Sequence, residues 1–186
     1  MKTKIYIKTA IFTLMGGLVL LSSSCLKDSR YVNYFADAPL AEFPLAEVNA
    51  YQPGGSDGAY QAITFPATNA NDTITVAVKV AAPRALTSAT VFTISTTDVT
   101  ALNSFNSSSG GTALLPVPAT DFTVIGGLQV TVPANITEVY FKVVVNGAFV
   151  AANATGAYVL PLTIENAGSV QIAIPEKYLL YNLFAQ

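Results

Sequence analysis

Two stretches of this chain show the two-residue period of a β-strand. In each of them every second position is a large apolar residue: Ile74, Val76, Val78 and Val80 in the first, then Val139, Phe141, Val143 and Val145 in the second. Successive side chains of a strand point to opposite faces of the sheet. Each stretch therefore predicts a strand with one buried face and one solvent-facing face, which is typical of antiparallel sheets.

The rest of the chain indicates the same fold class. Short apolar stretches, separated by Gly, Pro and Asn, recur about every ten residues and predict about eight to ten strands. Residues 42–51 predict an early strand, whereas residues 99–105 predict no more than a helical turn. This spacing is typical of an all-β fold, a β-sandwich of antiparallel sheets. Its expected core includes Val76, Val78, Phe141, Val143 and Leu160.

The N-terminus carries the pattern of a bacterial lipoprotein signal. Three lysines precede an apolar run at 10–21, which is shorter than the roughly 20 residues of a membrane span and fits a signal-peptide core. Three serines then lead directly to Cys25, the single cysteine of the chain. We interpret residues 1–24 as a cleaved lipoprotein signal peptide and Cys25 as the lipidated N-terminus. The alternative is a plain secretory signal with a free cysteine, a liability in an oxidising compartment.

Removal of residues 1–24 sets the organisation and the charge of the mature chain. Residues 25–44 keep no sustained period, and we interpret them as a lipidated tether. Residues 45–186 then form one β-sandwich domain, as their length suggests. Residues 1–24 contain three of the nine basic residues of the chain. The mature chain therefore has six basic and eleven acidic residues, and its net charge is −5. An acidic chain repels phosphate backbones, which argues against nucleic acid as a partner.

The residue inventory argues against catalysis. The chain has no histidine, which removes the commonest general base and the commonest zinc ligand, and it lacks the G-x-S-x-G nucleophile motif. Asp57 and the Asn and Asp residues at 69–72 fit turn chemistry better than the dense oxygen ligands of a calcium loop. We therefore expect no enzyme, no cofactor and no metal. Scattered carboxylates leave glycoside hydrolysis formally open: Asp98, Asp121, Glu138 and Glu165.

Five short segments in the second half of the chain follow a recognisable order. They are Leu102-Asn103-Ser104-Phe105-Asn106, Leu115-Pro116, Asp121-Phe122, Tyr158-Val159-Leu160-Pro161-Leu162 and Leu180-Tyr181-Asn182-Leu183. This order resembles the DUF1735 family, and the resemblance covers roughly residues 45–184. It implies an Ig-like antiparallel β-sandwich, the N-terminal domain of many surface lipoproteins of Bacteroidota. Family members often carry a second domain after this one, whereas this sequence ends with its last predicted strand.

The resemblance also implies a location and a role. Family members are often found near glycan-utilisation systems, so we expect a lipid-anchored protein of the outer membrane that faces the exterior. It would act as a non-catalytic binding or accessory module, with polysaccharide or a surface protein complex as its partner. The alternative is a structural or adhesive subunit of the fimbrial type, for which the exposed-looking Arg84 would be a maturation cleavage site.

Aromatic residues in turn-like segments are the candidate ligand-binding residues. Sugar-binding sites commonly stack a pyranose ring on an exposed aromatic side chain, and the absence of Trp leaves that role to Tyr or Phe. Tyr51 and Tyr60 flank the glycine-rich turn at 52–58, and Phe105 lies near the start of the polar segment 103–115. We predict that these three rings bind the ligand and that their removal spares thermal stability. The alternative is that each ring packs in the core.

One further position is a candidate for modification. Asp72-Thr73-Ile74 fits a D-[ST]-hydrophobe pattern that resembles periplasmic O-glycosylation sites of Bacteroidota. Thr73 is therefore a candidate glycosylation site. The alternative is that Thr73 simply begins a strand.

Overall fold

Two β-sheets pack against each other in the computed structural model, which describes residues 38–48, 59–174 and 176–186. The strands are β1 (Leu40–Glu42), β2 (Ala59–Phe65), β3 (Asp72–Ala81), β4 (Thr90–Ser95), β5 (Leu115–Pro116), β6 (Phe122–Ile125), β7 (Gln129–Val132), β8 (Glu138–Val145), β9 (Tyr158–Asn166), β10 (Gln171–Ile172) and β11 (Tyr178–Ala185). The helices are α1 (Pro44–Val48), α2 (Thr100–Ser109) and α3 (Gly147–Ala152). The predicted β-sandwich is confirmed. Within the described ranges, no helix is long and apolar enough to cross a membrane.

The two sheets contain both antiparallel and parallel pairs. The first has five strands in the order β10-β1-β3-β8-β6, and the second has six in the order β2-β11-β9-β4-β7, with β5 beside the start of β9. Most neighbours are antiparallel, as predicted. Three pairs are parallel instead: β1 with β10, β2 with β11, and β5 with β9. A parallel pair needs a long connection between its strands, and each of these pairs joins segments far apart in the chain.

The two alternating stretches form adjacent antiparallel strands, β3 and β8. Val76 lies opposite Phe141, and Ile74 lies opposite Val143. Their apolar faces pack against the inner face of the second sheet in one core. The five residues predicted for the core are all buried, with no more than 6% exposure: Val76, Val78, Phe141, Val143 and Leu160. The two-residue period therefore identified the buried face of these strands correctly.

The second sheet is buried on both faces along β9 and β11, which the sequence did not predict. Leu179 and Leu183 of β11 enter the main core. Their neighbours Tyr178 and Leu180 point to the opposite face, where they form a second cluster with Val159 of β9. We call this the outer cluster, and α2 covers it. Because both faces are covered, these strands consist of nearly continuous apolar residues.

The helix α2 has ten residues, whereas the sequence predicted at most a helical turn at 99–105. At its start, the amide of Thr100 donates to the Oδ1 of Asp98 at 2.9 Å, which satisfies one of the amides that a helix leaves unpaired. At its end, Gly110 adopts a φ of 65°, a left-handed conformation that costs glycine nothing sterically. Burial of Ala101 and Leu102 against the sheet stabilises a segment that lacks a helical period of its own.

The sandwich begins before residue 45. Residues 40–42, interpreted above as part of the tether, form β1 between β10 and β3, and Phe43 is fully buried. The strand predicted at 42–51 is wrong over residues 44–48, which form α1. The Nζ of Lys79 lies 3.0 Å from the Oε1 of Glu42, and this ion pair offsets the cost of burying a carboxylate at the end of β1.

Candidate functional site

The fold brings two of the three predicted ligand-binding rings together. Tyr60 lies on β2 and Phe105 on α2, and their rings stack with centroids 4.8 Å apart and planes 3° from parallel. Both side chains are half-buried. Tyr51 and the turn at 52–58 lie outside the described residues, so their part in the site stays a prediction.

The stacked pair is anchored on the outer cluster. Tyr60 is in register with Leu180 of β11, and the Nδ2 of Asn182 donates a hydrogen bond to the Tyr60 hydroxyl. Asn182 is itself buried. Each ring covers one face of the other, so part of the aromatic area of Tyr60 and Phe105 stabilises the contact between α2 and the sheet. The predicted binding rings therefore also serve packing.

Asp98 is a further polar residue beside the outer cluster, and its carboxylate holds the start of α2. Partial burial opposes ionisation of its carboxyl, but hydrogen bonds from Thr100 and Thr163 and the positive charge of Lys177 outweigh it, and the pKa of Asp98 lies below its usual 3.8. The Nζ of Lys177 also lies 4.6 Å from the centre of the Tyr178 ring. A carboxyl with a lowered pKa stays ionised at neutral pH and is poorly suited to donate a proton. This cluster has a structural role.

The most exposed aromatic side chain of the described residues is Tyr140, which the sequence analysis did not select. It lies in β8 opposite Ala77 of β3, on the outer face of the five-stranded sheet, and 65% of it is exposed. Its hydroxyl donates to the Oε1 of Glu138, and this hydrogen bond and the negative charge of Glu138 raise the pKa of Tyr140. The period of β8 could have identified it, because it places a tyrosine on the solvent-facing side.

A polar cleft of about 240 Å³ lies where β3, β6 and β8 begin or end. The Nδ2 of Asn146 donates to the Oδ1 of Asp121 at 2.9 Å, and the amide of Gly147 donates to the Oδ1 of Asn71 at 3.3 Å. These bonds hold turns together, which supports the interpretation of the Asn and Asp cluster as turn residues. Within the described ranges, no three acidic or cysteine side chains gather as ligands for a metal ion.

The predicted processing sites differ in what the structure shows of them. Thr73 is exposed at the start of β3, where its amide donates to the Oδ1 of Asp72 at 2.7 Å. Arg84 is exposed on the connection between β3 and β4. Cys25 lies outside the described residues. Lipidation of Cys25, glycosylation of Thr73 and cleavage at Arg84 all stay predictions.

A protein-family model for a "-like, N-terminal domain" matches residues 46–171, more than half of the chain. A solved multidomain protein of Bacteroides ovatus that includes DUF1735 has the same fold, with a TM-score of 0.53 and 15% identity over 72% of this chain and 42% of that one. The chain belongs to the DUF1735 family. The resemblance noted in the sequence is confirmed.

Two other solved structures share the fold of this DUF1735 domain. A candidate carbohydrate-binding protein from Bacteroides ovatus ATCC 8483 has a TM-score of 0.56 and 11% identity, covering 78% of this chain and 37% of that one. EndoBT-3987 of Bacteroides thetaiotamicron, solved with Man5GlcNAc product, has a TM-score of 0.50 and 17% identity, covering 68% and 28%. The chain thus spans less than half the length of these solved proteins. A search of curated proteins found no match.

The motif residues of this DUF1735 domain have structural roles. Leu102 is buried in the outer cluster, and Phe105 belongs to the stacked pair. The side-chain amide of Asn106 donates to the carbonyl of Leu114 and its Oδ1 accepts from the amide of Leu114, both at 2.9 Å. These two hydrogen bonds between Asn106 and Leu114 close the intervening loop and lead the chain into β5, which lies beside β9. The motif therefore specifies how α2 docks on the sheet and identifies no ligand by itself.

Proposed function

We propose that this chain is a non-catalytic carbohydrate-binding or accessory module of a glycan-utilisation system, held at the outer surface of the cell by lipid on Cys25. Two proteins that share its fold carry glycan-related descriptions, one a candidate carbohydrate-binding protein and one an enzyme solved with an oligosaccharide product. The observation that carries the proposal is the stacked pair of Tyr60 and Phe105. The fold brings these two distant rings to one partly exposed position.

The surroundings of the stacked pair suit a neutral glycan. Aromatic rings offer an apolar face to the C–H groups of a pyranose, and nearby polar side chains fix its hydroxyls. The exposed side of α2 carries such groups without charge: Asn103, Ser104, Ser107 and Ser108. A glycan lying along this helix would meet aromatic carbon and neutral hydrogen-bonding groups together.

The residue inventory supports binding over hydrolysis. The sequence has no histidine, and the lowered pKa of Asp98 does not suit a general acid, which needs a raised pKa. The chain covers 28% of the endoglycosidase with which it shares a fold, a share that fits an N-terminal accessory domain.

The proposed anchor follows from the position of Cys25 after the leader. Each buried CH₂ of an acyl chain contributes about 0.8 kcal/mol, so two or more chains hold a protein stably at a membrane. Residues between Cys25 and β1 would then serve as the tether that carries the sandwich away from the lipid surface.

Affinity electrophoresis of the full-length protein, purified in mild detergent, tests the proposal in gels that contain neutral polysaccharides of several linkage classes. We expect retardation in at least one gel. A Tyr60→Leu/Phe105→Leu variant keeps apolar bulk but loses both ring planes, and we expect binding to weaken about tenfold, which corresponds to about 1.4 kcal/mol. Phe149→Leu is the matched control, because Phe149 forms an edge-on pair with Tyr158 at 4.9 Å away from α2.

The outcomes separate the alternatives. If the double variant binds as well as the wild type, the site lies elsewhere on the protein. If the folded protein is retarded by no polysaccharide, or if it releases sugar from one, the proposal is wrong. Polymer ladders that resist mild denaturation would favour the structural subunit of the fimbrial type.

A further inference from the structure

A groove of about 230 Å³ lies where the chain leaves the first sheet and crosses to the second. β6 pairs with β8 only as far as Lys142, opposite Ile125, and the chain then turns toward β7 in the other sheet. The turn consists of Gly126 and Gly127, with φ values of 84° and 86°, which glycine adopts without strain. A Cβ on either glycine would meet no atom within 4 Å, so the turn leaves open space above the groove.

The walls of the groove combine aromatic and neutral polar side chains. Tyr140 of β8 lines it and is 65% exposed, and Ile125 at the end of β6 is 53% exposed. Gln129 and Thr131 of β7 also line it, and both are solvent-facing because Val130 between them is buried. The lining therefore combines the exposed residues Tyr140, Ile125, Gln129 and Thr131 with the apolar residues Val130, Val139 and Phe141.

Size and charge restrict the occupant. Pockets that enclose drug-sized ligands measure about 300–1,000 Å³, so this groove suits a single ring. No charged side chain belongs to the described lining, and the carboxylate of Glu138 accepts a hydrogen bond from the hydroxyl of Tyr140. A phosphate or carboxylate group would therefore find no cation in the lining and one anion beside it. A neutral pyranose fits both conditions, since it presents C–H groups to an aromatic face and hydroxyls to an amide.

We propose that this groove binds one neutral pyranose unit, with Tyr140 as the stacking surface and Gln129 and Thr131 as hydrogen-bonding side chains. The proposal rests on the proposed function and adds a site between β8 of the five-stranded sheet and β7 of the six-stranded sheet, whereas the stacked pair of Tyr60 and Phe105 lies at the β2 edge of the six-stranded sheet. Because the groove holds one sugar ring, its affinity for a single glycoside is weak. The groove and the stacked pair lie at opposite edges of the six-stranded sheet, so only a glycan long enough to span them would occupy both sites.

Saturation-transfer NMR on the full-length protein in detergent tests the groove with methyl glycosides of glucose, galactose, mannose and N-acetylglucosamine. We expect binding of at least one glycoside and a loss of about tenfold or more in Tyr140→Ala, in line with the contribution of an aromatic contact. Tyr140→Phe keeps the ring and should bind within about twofold of the wild type. Ile174→Ala is the control, because Ile174 is 56% exposed but outside the groove.

A second readout locates the bound sugar. Tetranitromethane nitrates the phenolate form of tyrosine, so the reaction is run at alkaline pH to offset the raised pKa of the exposed Tyr140. The glycoside that binds should then protect Tyr140 from nitration, as measured by peptide mass spectrometry. Equal nitration with and without the glycoside would overturn the proposal.

Failure of this proposal differs from failure of the proposed function. If polysaccharides still retard the protein but Tyr140→Ala binds methyl glycosides as the wild type does, the groove proposal is wrong and the function stands. If the protein binds neither glycosides nor polysaccharides, both are wrong. Self-association that Tyr140→Ala abolishes, without any sugar binding, would assign the groove to a protein contact and overturn the proposal.

Discussion

The Tyr60 ring lies parallel to the Phe105 ring, with 4.8 Å between their centroids. This contact joins β2, at the edge of the six-stranded sheet, to the helix that covers the outer cluster. Phe105→Ala would remove the ring and loosen α2, so we expect the free energy of unfolding to fall by roughly 1–3 kcal/mol, less than the about 3–5 kcal/mol of a fully buried Phe. This replaces the expectation that ring loss spares thermal stability.

Denaturant titration followed by circular dichroism measures the effect of Phe105→Ala. The control is Ser104→Ala, one position earlier on the exposed side of α2, which should leave the midpoint nearly unchanged. Equal midpoints for the wild type and Phe105→Ala would show that the stack contributes nothing to the fold.

Adjacent residues of β8 should respond very differently to truncation. Phe141 is 6% exposed and Tyr140 is 65% exposed, because they point to opposite faces of the sheet. We expect Phe141→Ala to lower the free energy of unfolding by about 3–5 kcal/mol and Tyr140→Ala to change it by no more than about 0.5 kcal/mol. Thermal melts of the two variants check this, and similar losses at both positions would contradict the assigned register.

Gly147 is a second position where a small change should be costly. It is buried at the start of α3, and a Cβ there would overlap the backbone carbonyl of Ala70. We expect Gly147→Ala to cost about 1–3 kcal/mol, as overpacking does. Gly111→Ala is the matched control, since a Cβ at Gly111 meets nothing within 4 Å. A neutral result for Gly147→Ala in a denaturant titration would show that the 70–71 turn yields easily.

The lowered pKa of Asp98 predicts a contribution to stability that depends on pH. The folded state holds this pKa below 3.8, so ionisation of Asp98 favours the folded state at higher pH, and the contribution is lost as pH falls through the folded pKa. We expect Asp98→Asn to melt below the wild type at pH 6, and the difference in Tm to shrink below about pH 4. A difference that does not vary with pH would assign the effect to lost hydrogen bonds alone.

Cys25→Ser tests the lipid anchor. Acyl transfer to Cys25 requires its thiol, so the variant should accumulate as uncleaved precursor or appear in the soluble fraction. Membrane fractionation with an immunoblot, together with labelling by a palmitate analogue, measures both. Normal processing and normal membrane partitioning of Cys25→Ser would show that Cys25 is not the anchor.

The sequence alone determined which faces of the main strands are buried. In β3 and β8 this information is local, because positions i and i+2 share a face and burial of that face dominates the energetics. The turns could also be predicted from local sequence, because Gly126, Gly127 and Asn146 lie where the chain changes direction. The family motif also placed Leu102 and Phe105 in one segment, which the structure shows to be α2.

Only the tertiary structure decided which segments meet. The parallel pairing of β2 with β11, the stack of Tyr60 on Phe105 and the approach of Gln129 and Thr131 to Tyr140 join residues that no short window contains. Taken singly, many possible strand pairings have similar energies. The pairings that form are those that together bury one core between the two sheets. For that reason the sequence could show that Tyr140 faces solvent, whereas the groove beside it exists only because β6 leaves one sheet and β7 enters the other.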